Sequence, residues 1–128
     1  MLQVHETIAG FRAALDDARG SGHTVGLVPT MGYLHDGHAS LLRRASEESR
    51  TAALTIFVNP LQFAASEDLS TYPRDLDADL ALAASAGIEH VFTPSVEEMY
   101  PEPLLTAVTV DEITARFEGA SRPEHFAG

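Results

Sequence analysis

The sequence predicts an α/β fold, a parallel sheet with helices on both faces. Three observations predict it. Strand-like and helix-like patterns alternate along the 128 residues. The strand-like runs are short and almost continuously apolar, as in strands buried on both faces. Gly, Pro or Asn ends most elements, with no repeat and no low-complexity linker between them. Such alternation implies right-handed crossovers, with ligands held beyond the carboxyl ends of the strands. The loops after Val28 and Val58 are therefore the places to search for chemistry.

Thr7 is a candidate cap for a helix over residues 8–19, with Ile8, Phe11, Leu15 and Ala18 on one face, stopped by Gly20-Ser21-Gly22. Residues 23–28 read as a short buried strand ending at Pro29, followed by a glycine-punctuated loop over 30–36. A helix is expected from Gly37 to about Ser49, with Leu41, Leu42 and Ala45 inward. Residues 51–58 form the clearest strand, ended by Asn59-Pro60, and a polar loop spans 61–74. A helix over 75–86 starts acidic, where the helix dipole favours carboxylates, and ends at Gly87. A third strand is expected over 88–93, then a short helix capped by Ser95 and reaching Met99. A fourth strand over 104–110 and a short helix over 111–117 complete the pattern.

Composition narrows the function. The formal net charge is −11, and all eight cationic side chains are arginine. So acidic a surface opposes general attraction to nucleic acid or anionic lipid. Without lysine there is neither a P-loop lysine nor Schiff-base chemistry. Without cysteine there is no disulfide scaffold or thiolate metal site, which fits a reducing compartment. No apolar run reaches the ~20 residues that span a bilayer, and the first residues lack signal-peptide character, so the simplest address is cytoplasmic.

The stretch after the first core strand reads Pro29-Thr30-Met31-Gly32-Tyr33-Leu34-His35-Asp36-Gly37-His38. Two histidines three apart at the mouth of a helix share one face. Free amides of a first helical turn attract anions, and imidazoles there can donate to phosphate oxygens. Solvated turn histidines and a zinc pair are competing readings; Asp36 as a simple helix cap is a third, compatible with the anion-binding one. No third metal ligand completes a zinc pattern. Gln62 is a polar loop residue by itself, and Asp75, Asp77 and Asp79 read as dipole-stabilised or solvated carboxylates.

His-x-Gly-His after a first strand resembles the adenylyl- and cytidylyltransferase superfamily, whose Rossmann-like nucleotide-binding fold is shared with class I aminoacyl-tRNA synthetases. The longer string, residues 28–38, is similar to the motif of the pantothenate synthetase family. Ile56-Phe57-Val58-Asn59-Pro60-Leu61-Gln62-Phe63 resembles that family too, as do Glu67-Asp68-Leu69, Tyr72-Pro73-Arg74, Phe92-Thr93-Pro94 and Met99-Tyr100-Pro101. Arg122-Pro123 and His125-Phe126-Ala127-Gly128 match again at the end.

The resemblance implies condensation of pantoate with β-alanine through a pantoyl adenylate, with ATP as substrate and Mg2+ assisting. It implies ATP contacts at Met31, Gly32, Tyr33, Leu34, His35, Asp36, Gly37 and His38, with His38 and His35 as the catalytic pair. It implies pantoate and β-alanine contacts at Gln62, Pro29 and Met31, with Phe63 as a further apolar wall. No protein-held metal site, nucleic acid or membrane partner is implied, and a homodimer is. Family members are roughly twice as long, so residues 1–128 correspond to a partial N-terminal domain without the C-terminal lid. The sheet is then expected to be incomplete at its C-terminal side, because the family places the first core strand centrally. Two alternatives stand beside this reading: another His-x-Gly-His nucleotidyltransferase, against which the 59–63 string argues, and a non-catalytic nucleotide-binding or self-associating fragment.

Overall fold

A computed structural model describes residues 1–64 and 69–128. The chain forms two compact units, Met1–Val58 with Arg74–Met99, and Asn59–Pro73 with Tyr100–Gly128.

The first unit runs β1 (Gln3–His5), α1 (Ile8–Gly20), β2 (Val25–Thr30), α2 (Asp36–Glu48), β3 (Thr51–Ile56), α3 (Leu76–Ser85), β4 (His90–Phe92) and α4 (Val96–Met99). Its four strands form one parallel sheet in the order β1-β4-β3-β2. The period-2 pleat divides the core between two faces. Val28, Ala52, Leu54 and Val91 pack with Leu42 of α2 and Ala83 of α3 on one face. Ala53 and Phe92 pack with Phe11 and Leu15 of α1 on the other. Phe11 and Phe92 stack with ring centroids 4.9 Å apart and planes 3° from parallel. The expected α/β, Rossmann-like architecture with helices on both faces is the one observed.

Local signals explain the helix ends. Thr7 caps α1, its side chain accepting the Gly10 amide. Asp75 caps α3 by accepting from Ala78, and Ser95 accepts from Glu98 at the start of α4. None of the helices is long and apolar enough to cross a membrane, among the described residues.

Several expectations are corrected. Residues 3–5 form a strand, which so short a run does not announce. β2 extends through Pro29; it lies at the edge of the described sheet, as expected of an incomplete one, where a proline's missing donor is tolerated. In consequence Leu27 is 52% exposed and only Val28 of β2 is buried. Leu41 is 56% exposed: the inward stripe of α2 is centred on Ala39 and Leu42, which turns position 41 toward the groove beside β2. Residues 103–110 form no strand but run exposed, Leu105 at 95%, with no strand partner among the described residues.

The second unit consists of 3-10 turns at Pro60–Gln62, Leu69–Thr71, Ile113–Ala115 and His125–Ala127, with one short helix, α5 (Glu118–Ser121). The expected helix over 111–117 is thus a single 3-10 turn. Glu67 and Asp68 of the family-like string lie outside the described residues.

Candidate functional site

The loop from β2 to α2 is fixed almost atom by atom. The Thr30 hydroxyl donates to the Thr55 carbonyl at 2.9 Å and accepts the Gly32 amide at 3.1 Å. Gly32 has φ 82°, and a Cβ there would lie 2.9 Å from Ile56 Cγ2 and 3.0 Å from Asp79 Oδ2. Tyr33 is also left-handed, at φ 51°. A non-glycine residue in that region costs about 1–3 kcal/mol and persists only where its surroundings over-determine it. Asp79 of α3, only 4% exposed, supplies that determination. Its Oδ2 accepts the Tyr33 amide at 2.8 Å and its Oδ1 the Leu34 amide at 2.7 Å.

α2 begins with a reciprocal histidine cap. His35, in extended conformation, is the N-cap, and its Nδ1 accepts the Gly37 amide at 3.0 Å. The Nδ1 of His38 accepts the His35 amide at 3.1 Å. Asp36 is the first helical residue rather than the cap. Gly37 is required sterically, since a Cβ would meet His35 Cε1 at 2.8 Å. The two rings lie 4.0 Å apart between centroids, 41° from parallel.

These bonds settle the tautomers. A backbone amide only donates, so each Nδ1 carries a bare lone pair. The neutral rings therefore hold their protons on Nε2. Partial burial lowers the His38 pKa from its ordinary value, and the neighbouring His35 lowers it further, while the Asp79 carboxylate pulls the other way. The net shift favours the neutral ring. Two adjacent Nε2–H donors stand at the positive end of a helix dipole, an arrangement suited to oxygen anions. The expected cradle of free amides is narrower than the sequence implied. The amides of Gly32, Tyr33, Leu34, His35 and Gly37 all have partners within the protein.

Beyond the carboxyl ends of β2, β3 and β4 lies an open cleft of about 310 Å3. Met31, Ile56, Val58, Pro94 and Val96 make its apolar wall, and Tyr33 and Asp79 reach its lining. Pro29 instead borders the groove along the β2 edge, beside Leu27 and Leu41.

Gln62 belongs to the second unit, where its backbone is held rather than its amide. The Gln62 carbonyl accepts from Arg122 Nη2 at 3.0 Å, and the guanidinium lies 5.0 Å over the Phe63 ring. His125 Nδ1 lies 3.4 Å from the same carbonyl. Asn59 does more than turn the chain: its Oδ1 accepts the Leu61 amide and the Tyr100 hydroxyl, each at 3.0 Å.

Asp79 is the residue that reading the sequence missed. A signal existed: positions 79, 83 and 86 share one helix face, and the other two are buried alanines. Of the three aspartates, Asp75 and Asp77 are exposed as expected. No group of three or more His, Asp or Glu side chains is placed to hold a metal ion among the described residues.

Comparison with known proteins gives one consistent result. The pantoate-beta-alanine ligase family model matches residues 3–128. A pantothenate synthetase of Rhizobium meliloti is 53% identical over 122 residues, which are 95% of this chain and 42% of the relative. The crystal structure of the Thermus thermophilus pantothenate synthetase superposes with TM-score 0.87 at 49% identity, over 98% of this chain and 44% of that one. A Francisella tularensis pantoate-beta-alanine ligase, solved with beta-gamma ATP and beta-alanine, gives TM-score 0.90 at 36% identity, over 100% of this chain and 49% of that one. The chain therefore spans less than half the length of the relatives it matches, and over that span it belongs to the pantoate-beta-alanine ligase family.

Proposed function

We propose that the chain contributes the nucleotide-activating half of a pantoate–β-alanine ligase site. The observation that carries this is the reciprocal cap, which leaves an Nε2–H donor on each of two adjacent rings at the start of α2. In the proposed reaction the pantoate carboxylate attacks the α-phosphorus of ATP and pyrophosphate leaves. The amine of β-alanine then attacks the acyl carbon of the adenylate and displaces AMP. His38 and His35 donate to phosphate oxygens as negative charge accumulates on them, and each such donor contributes ~10²–10³ in rate. Because the rings are already fixed by the loop, little reorganisation accompanies the step.

Met31 forms an apolar wall for the pantoate methyl groups, with Pro29 and Phe63 assigned the same role by family resemblance. Gln62 reads hydroxyl and carboxylate oxygens through its amide, which can both donate and accept. The loop residues 31–38 together make the ATP contacts. Asp79 commits both oxygens to amides. Magnesium enters as part of the ATP substrate, held by phosphate oxygens and water. The same reading makes the working protein a homodimer in the cytoplasm.

An acceptor screen tests the proposal. Exchange of labelled pyrophosphate into ATP is expected to depend on pantoate. Exchange that ignores pantoate and follows another acceptor, such as a mononucleotide, would assign the site to a different nucleotidyltransferase.

A further inference from the structure

We propose that Asp79 is the positioning residue of this site: its two carboxylate oxygens, by taking the Tyr33 and Leu34 amides, hold the β2–α2 loop in the shape that sets His35 beside His38. Nothing in the family-like strings singles it out, and it touches neither imidazole by a hydrogen bond.

The geometry is specific. One buried carboxylate receives two consecutive amides, at 2.8 and 2.7 Å, from a segment 45 residues earlier in the chain. The first of those amides belongs to Tyr33, itself left-handed and preceded by left-handed Gly32; the second belongs to the next residue, Leu34. In this turn the successive N–H groups of Tyr33 and Leu34 converge on one point, a concavity that selects an anion. Here the anion is supplied by the protein. Leu34, the second residue held, directly precedes the N-cap histidine, so its placement sets where the reciprocal cap begins. The loop cannot relax toward α3 without moving Gly32, whose Cα side already faces Asp79 Oδ2 and Ile56. α3 thus acts as a rigid post, and Asp79 ties the loop to it.

The charge matters as well as the shape. A neutral side chain of the same size has one acceptor oxygen and one NH2, which opposes an amide instead of receiving it. Charge-assisted bonds of this kind are about twice as strong as neutral ones. Among charged groups, Asp79 and His35 are the two that act on His38.

The test is Asp79→Asn in the 128-residue chain, read by NMR without nucleotide and then with ATP. Expected without nucleotide are amide exchange at Tyr33 and Leu34 accelerated by roughly tenfold, the factor that loss of one charge-assisted hydrogen bond brings, and a His38 titration moved to lower pH. Asp75→Asn is the control: it weakens the cap of the same helix and is expected to leave both readouts unchanged. Adding Tyr33→Gly to Asp79→Asn is expected to restore the loop in part, because glycine takes the left-handed conformation without strain. Unchanged exchange and an unchanged His38 titration in folded Asp79→Asn would overturn the proposal, as would equal changes in the Asp75→Asn control. The ATP arm rests on the function proposed above. If wild type fails to bind ATP while the loop readouts shift, that function fails and the positioning role stands; if ATP binds equally to wild type and Asp79→Asn, the positioning role fails.

Discussion

The first unit contains two histidine pairs, and they differ in where their nitrogens go. His5 on β1 and His90 on β4 share a hydrogen bond, Nε2 to Nδ1 at 3.0 Å, with ring centroids 5.2 Å apart. His35 and His38 lie closer, at 4.0 Å, yet share none: each ring accepts a backbone amide instead. In both pairs one member is pushed toward the neutral form, His90 and His38, in each case by burial first and by the neighbouring imidazole second. Neither a depressed pKa nor ring proximity therefore separates a candidate site from a structural contact. What separates them is commitment. The strand pair spends one ring's N–H on the other and keeps a single donor between them, whereas the loop pair uses the backbone to fix its rings and keeps a donor on each.

The largest expected effect breaks or upholds this contrast directly. His38→Ala or His35→Ala is expected to lower pantoate-dependent pyrophosphate exchange by ~10²–10³, while His5→Ala and His90→Ala change it less than about threefold. Comparable losses from the strand pair would remove the distinction. Next comes Gly32→Ala, which places a side chain at φ 82° against Ile56 and Asp79. Loss of about 1–3 kcal/mol in urea unfolding is expected, and a neutral result would show that the loop is not held as described. Gly37→Ala sharpens the contrast further. It displaces the His35 ring, so about 1 kcal/mol of cap stability is expected to vanish, read as a lowered Tm.

Much of this was legible in the sequence. The alternation of elements, the caps Thr7 and Ser95, the helix over 75–86 and the strand at 51 follow from local pattern, and these survive because each is decided within a few residues. The elements that escaped are decided elsewhere. β1 exists because β4 receives it, and residues 104–110 fail as a strand because no strand among the described residues does. Leu41 turns outward because the neighbouring Leu42 takes the core position. The histidine pair was legible as a motif, but its reciprocal cap and tautomers depend on backbone geometry. Asp79 lies some 45 residues from the amides it binds, so only its place on the buried stripe of α3 hinted at its role.

The smallest effect is shared by both pairs. A histidine whose folded pKa is depressed binds fewer protons folded than unfolded, so stability rises with pH in that window. As pH falls below about 6.5, the unfolded value, stability is expected to decline until the lowered folded pKa of His38 and His90 is passed. Urea melts at pH 7.5 and 5.5 should show this loss, reduced in His38→Gln and in His90→Gln. An unchanged loss in the double variant would assign it to other groups.

The central claim is that both loop imidazoles accept on Nδ1 and offer a proton on Nε2. Ring-nitrogen NMR of the 15N-histidine-labelled chain near pH 7.5 reads this directly. The account predicts the Nε2–H tautomer for His35 and His38 alike. An Nδ1–H tautomer at either residue would contradict it, since that nitrogen could not then receive a backbone amide.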